Sequence, residues 1–376
     1  MSGAAPRAGC SEKQRGMGVG AIHESPLRDD AMPNWKMLGQ DHLIAPLERS
    51  LQNGQLAHAY LLVGQPQMGK STFAIRLAQA VNCLSDDDRP CGDCQQCQRI
   101  ERGFHADVQV IAPAQDERTG RQRTEIGIDQ VRELERAVVL GSYEGRSRVF
   151  IIDVAERASA EAANALLKTL EEPPPNVLLL LLTAEEERLL PTIRSRCQRL
   201  ELRPVAQEAI AELLTREHGV ERDDAVLLAR LSGGRLGWAL AAAADPKVLQ
   251  ERQDHLTQLL DATDGSLEHR FHLSLEMATR YARDRAAVRQ TLSLWLSWWR
   301  DLLMLKQAAP ELIANEDWRG TLDERAGNYS REQVTGVVQE LVSTLERLEH
   351  NANPRIALDV LMLALPQATA AQMPSK

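Results

Sequence analysis

Two groups of residues in this sequence of 376 residues have types and spacings that can do chemistry. The first is GQPQMGKST, Gly64 to Thr72, which fits the pattern G-x-x-x-x-G-K-[ST]. In such a loop Gly64 and Gly69 let backbone N–H groups and a helix dipole face phosphate oxygens. Lys70 reaches the outer phosphates, and Ser71 or Thr72 can ligate magnesium. AYLLVG before the loop reads as a strand and FAIRLAQAVNCL after it as a helix, a context that favours a phosphate site over a chance glycine turn. The second group is the run Cys83, Cys91, Cys94 and Cys97, spaced C-x7-C-x2-C-x2-C. Two C-x2 spacings bring thiolates onto one ion from a tight turn, and Cys83 supplies the fourth ligand of a tetrahedral zinc site. An iron–sulfur cluster is the alternative, although its fourth cysteine usually lies downstream and is followed by proline. Four thiolates leave no open position for water, so this centre is expected to stabilise and not to catalyse.

A third position is Asp153, at the end of the strand VFIID, where an acid can hold magnesium directly or through water. The alternative reading is a helix-capping acid. Val154 follows it, where a nucleotide hydrolase commonly carries the glutamate that orients attacking water. Glu156 lies two residues further on and is expected to point elsewhere, so nucleotide binding without turnover is expected. Thr183, closing the strand VLLLLLT, completes the nucleotide-binding set.

The elements that must position these residues alternate. An amphipathic helix between Trp35 and Leu56 carries Leu43, Ile44, Leu47 and Leu51 on one face, and strands are expected at Ala59 to Gly64, VQVIAP, RVFIID, VLLLLLT and Cys197 to Leu202. Asp129 is expected to cap a helix bearing Val131, Leu134 and Val138, and Ser159 the helix that stops at Pro173-Pro174-Pro175. Strand–helix alternation with a phosphate loop after the first strand specifies an α/β domain with a mostly parallel five-stranded sheet and a ligand at its C-terminal edge. Beyond Pro204 the pattern is helical, with a Gly233-Gly234 turn and an Asp245-Pro246 break. The helix TLSLWLSWWRDLLMLK repeats Leu292, Trp295, Leu296, Trp299, Leu302 and Leu303 at helical spacing; its tryptophans read as packing, with base stacking as the alternative.

Composition bounds the answer. Hydrophobic residues make up 43% and charged residues 26%, ordinary for a soluble globular protein, and no apolar run approaches the roughly 18 residues that span a bilayer. The net charge of −9 argues against a surface built mainly to grip nucleic acid. Clustered cysteines without a secretion signal read as metal ligands and not disulfides. The expected division is a disordered tail over 1–31, with Met32 as an alternative start, an α/β domain over 32–203 with its zinc module at 83–97, a helical block over 204–249 and a helical domain over 250–376.

In chain order the phosphate loop, the four cysteines, ALLKTLEEPPPN (Ala165 to Asn176), Ser195-Arg196-Cys197, WLSWWRDLL and NANPRIALDVLML (Asn351 to Leu363) resemble the delta-prime subunits of the bacterial DNA polymerase III clamp loader. The likeness runs from Trp35 to Pro366; SRC and LLKTLEEPP are shared with the gamma/tau motor subunits. The resemblance implies an AAA+ P-loop module, a helical lid and an all-α collar that joins a hetero-pentameric ring. It implies gamma/tau and delta subunits and the sliding clamp as partners, primer–template DNA reached through the complex, a cytoplasmic setting without a membrane, structural zinc, and possible ATP with magnesium. Arg196 would then enter a neighbour's ATP site as an arginine finger. Two features depart from the pattern. The phosphate loop is complete where many delta-prime chains have a degraded one, and Gly237 stands where the motors' lid carries a phosphate-sensing arginine, with Arg235 out of register. A motor subunit hydrolysing its own ATP is the competing reading, and a zinc-bearing nucleic-acid binder outside replication a remoter one.

Overall fold

The computed structural model describes residues 35–114, 125–350 and 352–366. The expected tail over 1–31, the alternative start at Met32, the arginine-rich stretch over 115–124 and Asn351 lie outside the described residues.

Five strands, β1 (Ala59–Val63), β2 (Val108–Ile111), β3 (Arg148–Ile152), β4 (Val177–Thr183) and β5 (Gln198–Glu201), form one sheet in the order β2-β3-β4-β1-β5. Every pairing is parallel, so the mostly parallel sheet expected is parallel throughout. Successive side chains of a strand point to opposite faces. Tyr60 and Leu62 of β1 and Leu180 and Leu182 of β4 therefore share one core with Leu47, Phe73 and Leu77. Leu61, Leu179 and Leu181 share the other with Val131, Leu134 and Leu166. Burial on both faces is why β4 is a continuous apolar run. Each fully buried aliphatic contributes about 1.5–3 kcal/mol.

Helices α1 (Asp41–Gln52), α2 (Lys70–Asn82), α3 (Gln95–Glu101), α4 (Ile128–Val139), α5 (Ala160–Glu171) and α6 (Pro191–Arg194) accompany the sheet. Two expectations need correction. The first helix is shorter than the stretch from Trp35 to Leu56, because Trp35 and Met37 form a lead-in whose indole is fully buried, 5.6 Å from the Phe73 ring centre. Asp129 is not the cap of α4. Gly127 holds that position, its amide donating to Gln130 Oε1 at 3.2 Å, and Asp129 sits in the first turn. Ser159 does cap α5, accepting from the Ala162 amide at 3.1 Å.

After the sheet come α7 (Gln207–His218), α8 (Arg222–Ser232) and α9 (Leu236–Ala244), which close over a small core of Ile210, Leu214, Leu228 and Trp238. Next are α10 (Pro246–Asp264), α11 (Leu267–Arg283), α12 (Arg285–Lys306), α13 (Arg319–Ala326), α14 (Arg331–Glu349) and α15 (Pro354–Ala364). The division expected between residues 249 and 250 falls inside α10. Val248 and Leu249 pack against the small core, whereas Leu256 and Leu259 belong to the large C-terminal one. One helix thus joins the two cores where a flexible linker would let them swing. Trp295, Trp298 and Trp299 are fully buried, and Trp295 Nε1 donates to the His255 carbonyl at 2.9 Å, so these rings are core and cannot stack on bases. No helix among the described residues is long and apolar enough to cross a membrane.

Candidate nucleotide site and metal centre

Between β1 and β4 the strand order reverses, because the chain leaves β1 for the far edge of the sheet. The crevice at the C-terminal ends of such strands is where ligands bind in open α/β sheets. Gly64 to Thr72 fills it. Gly69 caps α2 at φ +92°, a conformation that side chains oppose, and Lys70 opens the helix. Lys70 Nζ donates to the carbonyls of Gly64 at 2.6 Å and Gln65 at 3.0 Å. Burial pulls this ammonium below its ordinary pKa, and the carboxylates of Glu156 and then Asp153 oppose the shift. Ser71 and Thr72 are exposed in the first turn of α2. The Gly64 amide donates to the Thr183 carbonyl at 3.2 Å, so Thr183 meets the root of the loop, while its own hydroxyl accepts the Glu185 amide at 3.0 Å. Asp153 stands just beyond β3 on the same sheet edge, where Oδ1 accepts the Val154 amide at 3.0 Å.

Glu156 does not point elsewhere, as the sequence suggested. Val154 adopts a left-handed conformation, φ 49° and ψ 52°, unusual for a β-branched residue, and so turns the chain into a short 3-10 turn, Ala155–Arg157. Glu156 Oε1 there lies 3.4 Å from the Ala184 amide, beside Thr183, and its charge acts on Lys70 more strongly than that of Asp153.

Helix α9 meets the loop directly. The Gly237 amide donates to the Gln67 carbonyl at 2.8 Å, and Gln67 itself is left-handed at φ 64°. A Cβ on Gly237 would lie 2.7 Å from that oxygen, so no side chain fits there in this arrangement. Arg235 is turned away, its guanidinium 5.9 Å from the Trp238 ring centre and its Nε donating to the Ser232 carbonyl at 2.8 Å.

Cys83, Cys91, Cys94 and Cys97 come together with all four Sγ atoms within 4.8 Å of one another. Sulfurs bound at about 2.3 Å around one tetrahedral ion are about 3.8 Å apart, so the set fits zinc closely. The amides of Cys91, Cys94 and Cys97 approach the preceding sulfurs at 3.4, 3.3 and 3.5 Å, contacts that stabilise thiolates. Burial raises the Cys83 and Cys97 thiols, a cost that a bound dication would remove. Gly92, at φ +78°, makes the turn between Cys91 and Cys94. The module is braced against the α4–β3 loop: Gln96 Nε2 donates to the Glu144 carbonyl at 2.9 Å, and Arg99 pairs with Glu144.

Arg196 follows α6 at the start of β5. Val63, the last residue before the loop, pairs with Glu201 at the other end of that strand. At roughly 3.3 Å per residue, β5 from Gln198 to Glu201 spans about 10 Å, and Arg196 lies in the turn before its first residue. Its guanidinium donates to Glu171 Oε1 at 2.7 Å and to the Thr192 carbonyl at 3.0 Å, with the side chain 35% exposed. It therefore faces the opposite edge of the sheet from its own phosphate loop.

Sequence reasoning misread Glu156 and missed three partners: the Gln67 carbonyl, Glu171 and Glu185. Glu185 pairs with Arg188 at 3.1 Å and with Arg289 of α12, tying the C-terminal helices to the end of β4. Glu156 could have been found from its offset, had the bend at Val154 been foreseen. The others are long-range contacts that carry no local signal.

A sequence model of the family described as DNA polymerase III, delta subunit, matches residues 39–206. The DNA polymerase III subunit delta-prime of Escherichia coli is 31% identical over 334 residues, covering 84% of this chain and 95% of the relative. That of Bacillus subtilis is 27% identical over 336 residues, covering 89% and 99%. The gamma/tau subunit of Mycobacterium tuberculosis is 30% identical over 372 residues, covering 90% of this chain and 62% of the relative. Among solved structures, a DNA polymerase III gamma subunit-related protein of Thermotoga maritima matches with a TM-score of 0.36 at 16% identity, covering 84% of this chain and 97% of that one.

Proposed function

This chain belongs to the delta-prime family of DNA polymerase III subunits, and from that membership we propose that it is a non-motor subunit of the clamp loader. It binds ATP or ADP with magnesium at Gly64 to Thr72, Asp153 and Thr183 but does not turn it over, and lends Arg196 to the ATP site of a neighbour. Its partners are the gamma/tau and delta subunits, the sliding clamp and, through the assembly, primed DNA in the cytoplasm. The block over 204–249 serves as a lid and the helices over 250–376 as the collar that joins the ring. Zinc at the four cysteines is structural.

The observation that carries the non-motor reading is the contact between Gly237 and Gln67. Where a motor's lid senses phosphate through an arginine, this lid is bonded to the loop by its backbone, with no room for a side chain. Val154 likewise leaves the end of β3 without a glutamate. The separation of Arg196 from its own loop supports a role in trans. Binding of a fluorescent nucleotide to the purified chain, together with its ATPase rate, tests the reading. Binding that is lost in Lys70→Ala, with no turnover, is expected; turnover at a motor's rate would overturn it. The motor reading is favoured by one observation, the position of Glu156 beside Thr183, and the same assay separates the two.

A further inference from the structure

Glu156 is the one acidic group near the phosphate loop that the sequence reading set aside, and its surroundings are unusual. The left-handed turn at Val154 is a backbone conformation that a β-branched residue disfavours, and its effect here is to carry Glu156 back over the sheet edge to the Ala184 amide. Oε1 is engaged at the Ala184 amide, whereas Oε2 is buried and has no hydrogen-bond partner. A buried carboxylate oxygen without a donor is costly unless a ligand completes it. Lys70 Nζ donates two of its three N–H groups to the Gly64 and Gln65 carbonyls, and the Glu185 amide is held by Thr183. The loop therefore presents one ammonium against two carboxylates, Asp153 and Glu156, and the net local charge is negative.

Free polyphosphate is repelled by such a site, whereas polyphosphate carrying a divalent cation is not, because the cation inverts the local field. We propose that Glu156 is a specificity-determining residue of this nucleotide site, making it take the magnesium form of the nucleotide in preference to the free anion. The inference rests on the proposal that the loop binds nucleotide at all. Within that reading, Glu156 supplies from the following turn the second carboxylate that Val154 cannot supply from the strand end. Its role is to hold the cation that accompanies the phosphates, and no hydrolytic step is required of it.

The test is titration of the full-length chain with a fluorescent ADP analogue, in excess magnesium and in EDTA, for the wild type, Glu156→Gln and Glu156→Ala. Gln keeps the acceptor for the Ala184 amide and removes only the charge, so the fold is retained; circular dichroism melts check this for both variants. One charge a few ångströms from the phosphates changes affinity roughly ten- to a hundred-fold at an intermediate dielectric. The wild type is expected to bind at least tenfold more tightly with magnesium. Glu156→Gln should lose most of that difference, by gaining affinity in EDTA. Manganese retained with ADP, read by electron paramagnetic resonance, should fall in the same variant. Equal magnesium dependence in wild type and Glu156→Gln would overturn the inference and leave nucleotide binding standing. Equal gains with and without magnesium would also overturn it, reducing Glu156 to a general repulsive charge. No nucleotide binding by the wild type in either condition would overturn the binding proposal and the inference with it.

Discussion

Gly237 and Gln67, 170 positions apart in the chain, meet backbone to backbone at 2.8 Å, so that the first turn of α9 rests on the crown of the phosphate loop. The contact in this form needs a glycine, because a Cβ at position 237 would lie 2.7 Å from the Gln67 carbonyl oxygen and 3.4 Å from its α-carbon. Gly237→Ala puts a methyl 2.7 Å from the Gln67 carbonyl and must push α9 off the loop. A strained, overpacked contact of this kind costs about 1–3 kcal/mol. The expected result is faster amide hydrogen exchange in Gly237 to Leu240 and in Gln65 to Gly69, with exchange in β4 unchanged. Exchange identical to wild type in both segments would show that α9 and the loop are not coupled through this contact.

Removing the metal ligands should act locally. Cys91→Ser and Cys94→Ser are expected to abolish a stoichiometry of about one zinc per chain, measured by atomic absorption, because a tetrahedral structural site needs all its thiolates. The loss should loosen α3 and, through Gln96 and Arg99, the loop at Glu144, while the buried strands β1, β3 and β4 keep their protection. Unchanged metal content in either variant would remove the assignment.

Arg196→Ala in a reconstituted clamp loader should leave assembly intact and lower DNA- and clamp-stimulated ATP hydrolysis. A fully used arginine finger is worth about 10³–10⁵ at its own site, so the total rate falls less than that where other sites keep theirs. Glu171→Ala frees the guanidinium from its present partner and is expected to change hydrolysis by less than threefold, since the 2.7 Å ion pair is exposed and such pairs contribute roughly 0–1 kcal/mol. Normal hydrolysis and loading by the Arg196→Ala complex would leave that residue an ordinary surface arginine.

Asp107 ties the α4–β3 loop, against which the cysteine module is braced, to the sheet. It is fully buried and accepts the amides of Tyr143, Glu144 and Gly145 at 2.8, 2.7 and 2.7 Å. Burial alone would raise its pKa, yet those amides and the Arg148 charge outweigh it and hold the carboxyl below its ordinary range. A depressed folded pKa means that the contribution is complete above the unfolded value, about 3.9, and is lost as pH falls through the folded one. Asp107→Asn should therefore cost about 2–4 kcal/mol at pH 7, through weaker hydrogen bonds and a buried amide that cannot match them. The gap between variant and wild type in urea melts should narrow below pH 4. A gap that stays constant from pH 7 to pH 3 would mean that charge is not what Asp107 contributes.

Local chemistry made much of this protein legible. Gly64 to Thr72 read as a phosphate loop because that order of glycine, lysine and hydroxyl lets a strand end and a helix start face one anion, and the four cysteines, read as metal ligands from their two C-x2 spacings, do come together with all sulfurs within 4.8 Å. The run VLLLLLT revealed a strand covered on both faces, and the Trp295 to Trp299 stretch a buried helix, since burial leaves its period in the sequence. Tertiary structure decided the rest. That Gly237 meets Gln67, that Arg196 leans on Glu171 at the far edge of the sheet, and that α10 runs unbroken between two cores depend on residues brought together by packing, which no window of sequence contains. Glu156 shows the division most clearly. Its place two residues beyond Val154 argued against a role, and the left-handed backbone of Val154, a conformation that sequence disfavours and only the surrounding fold can hold, carried it back to the loop.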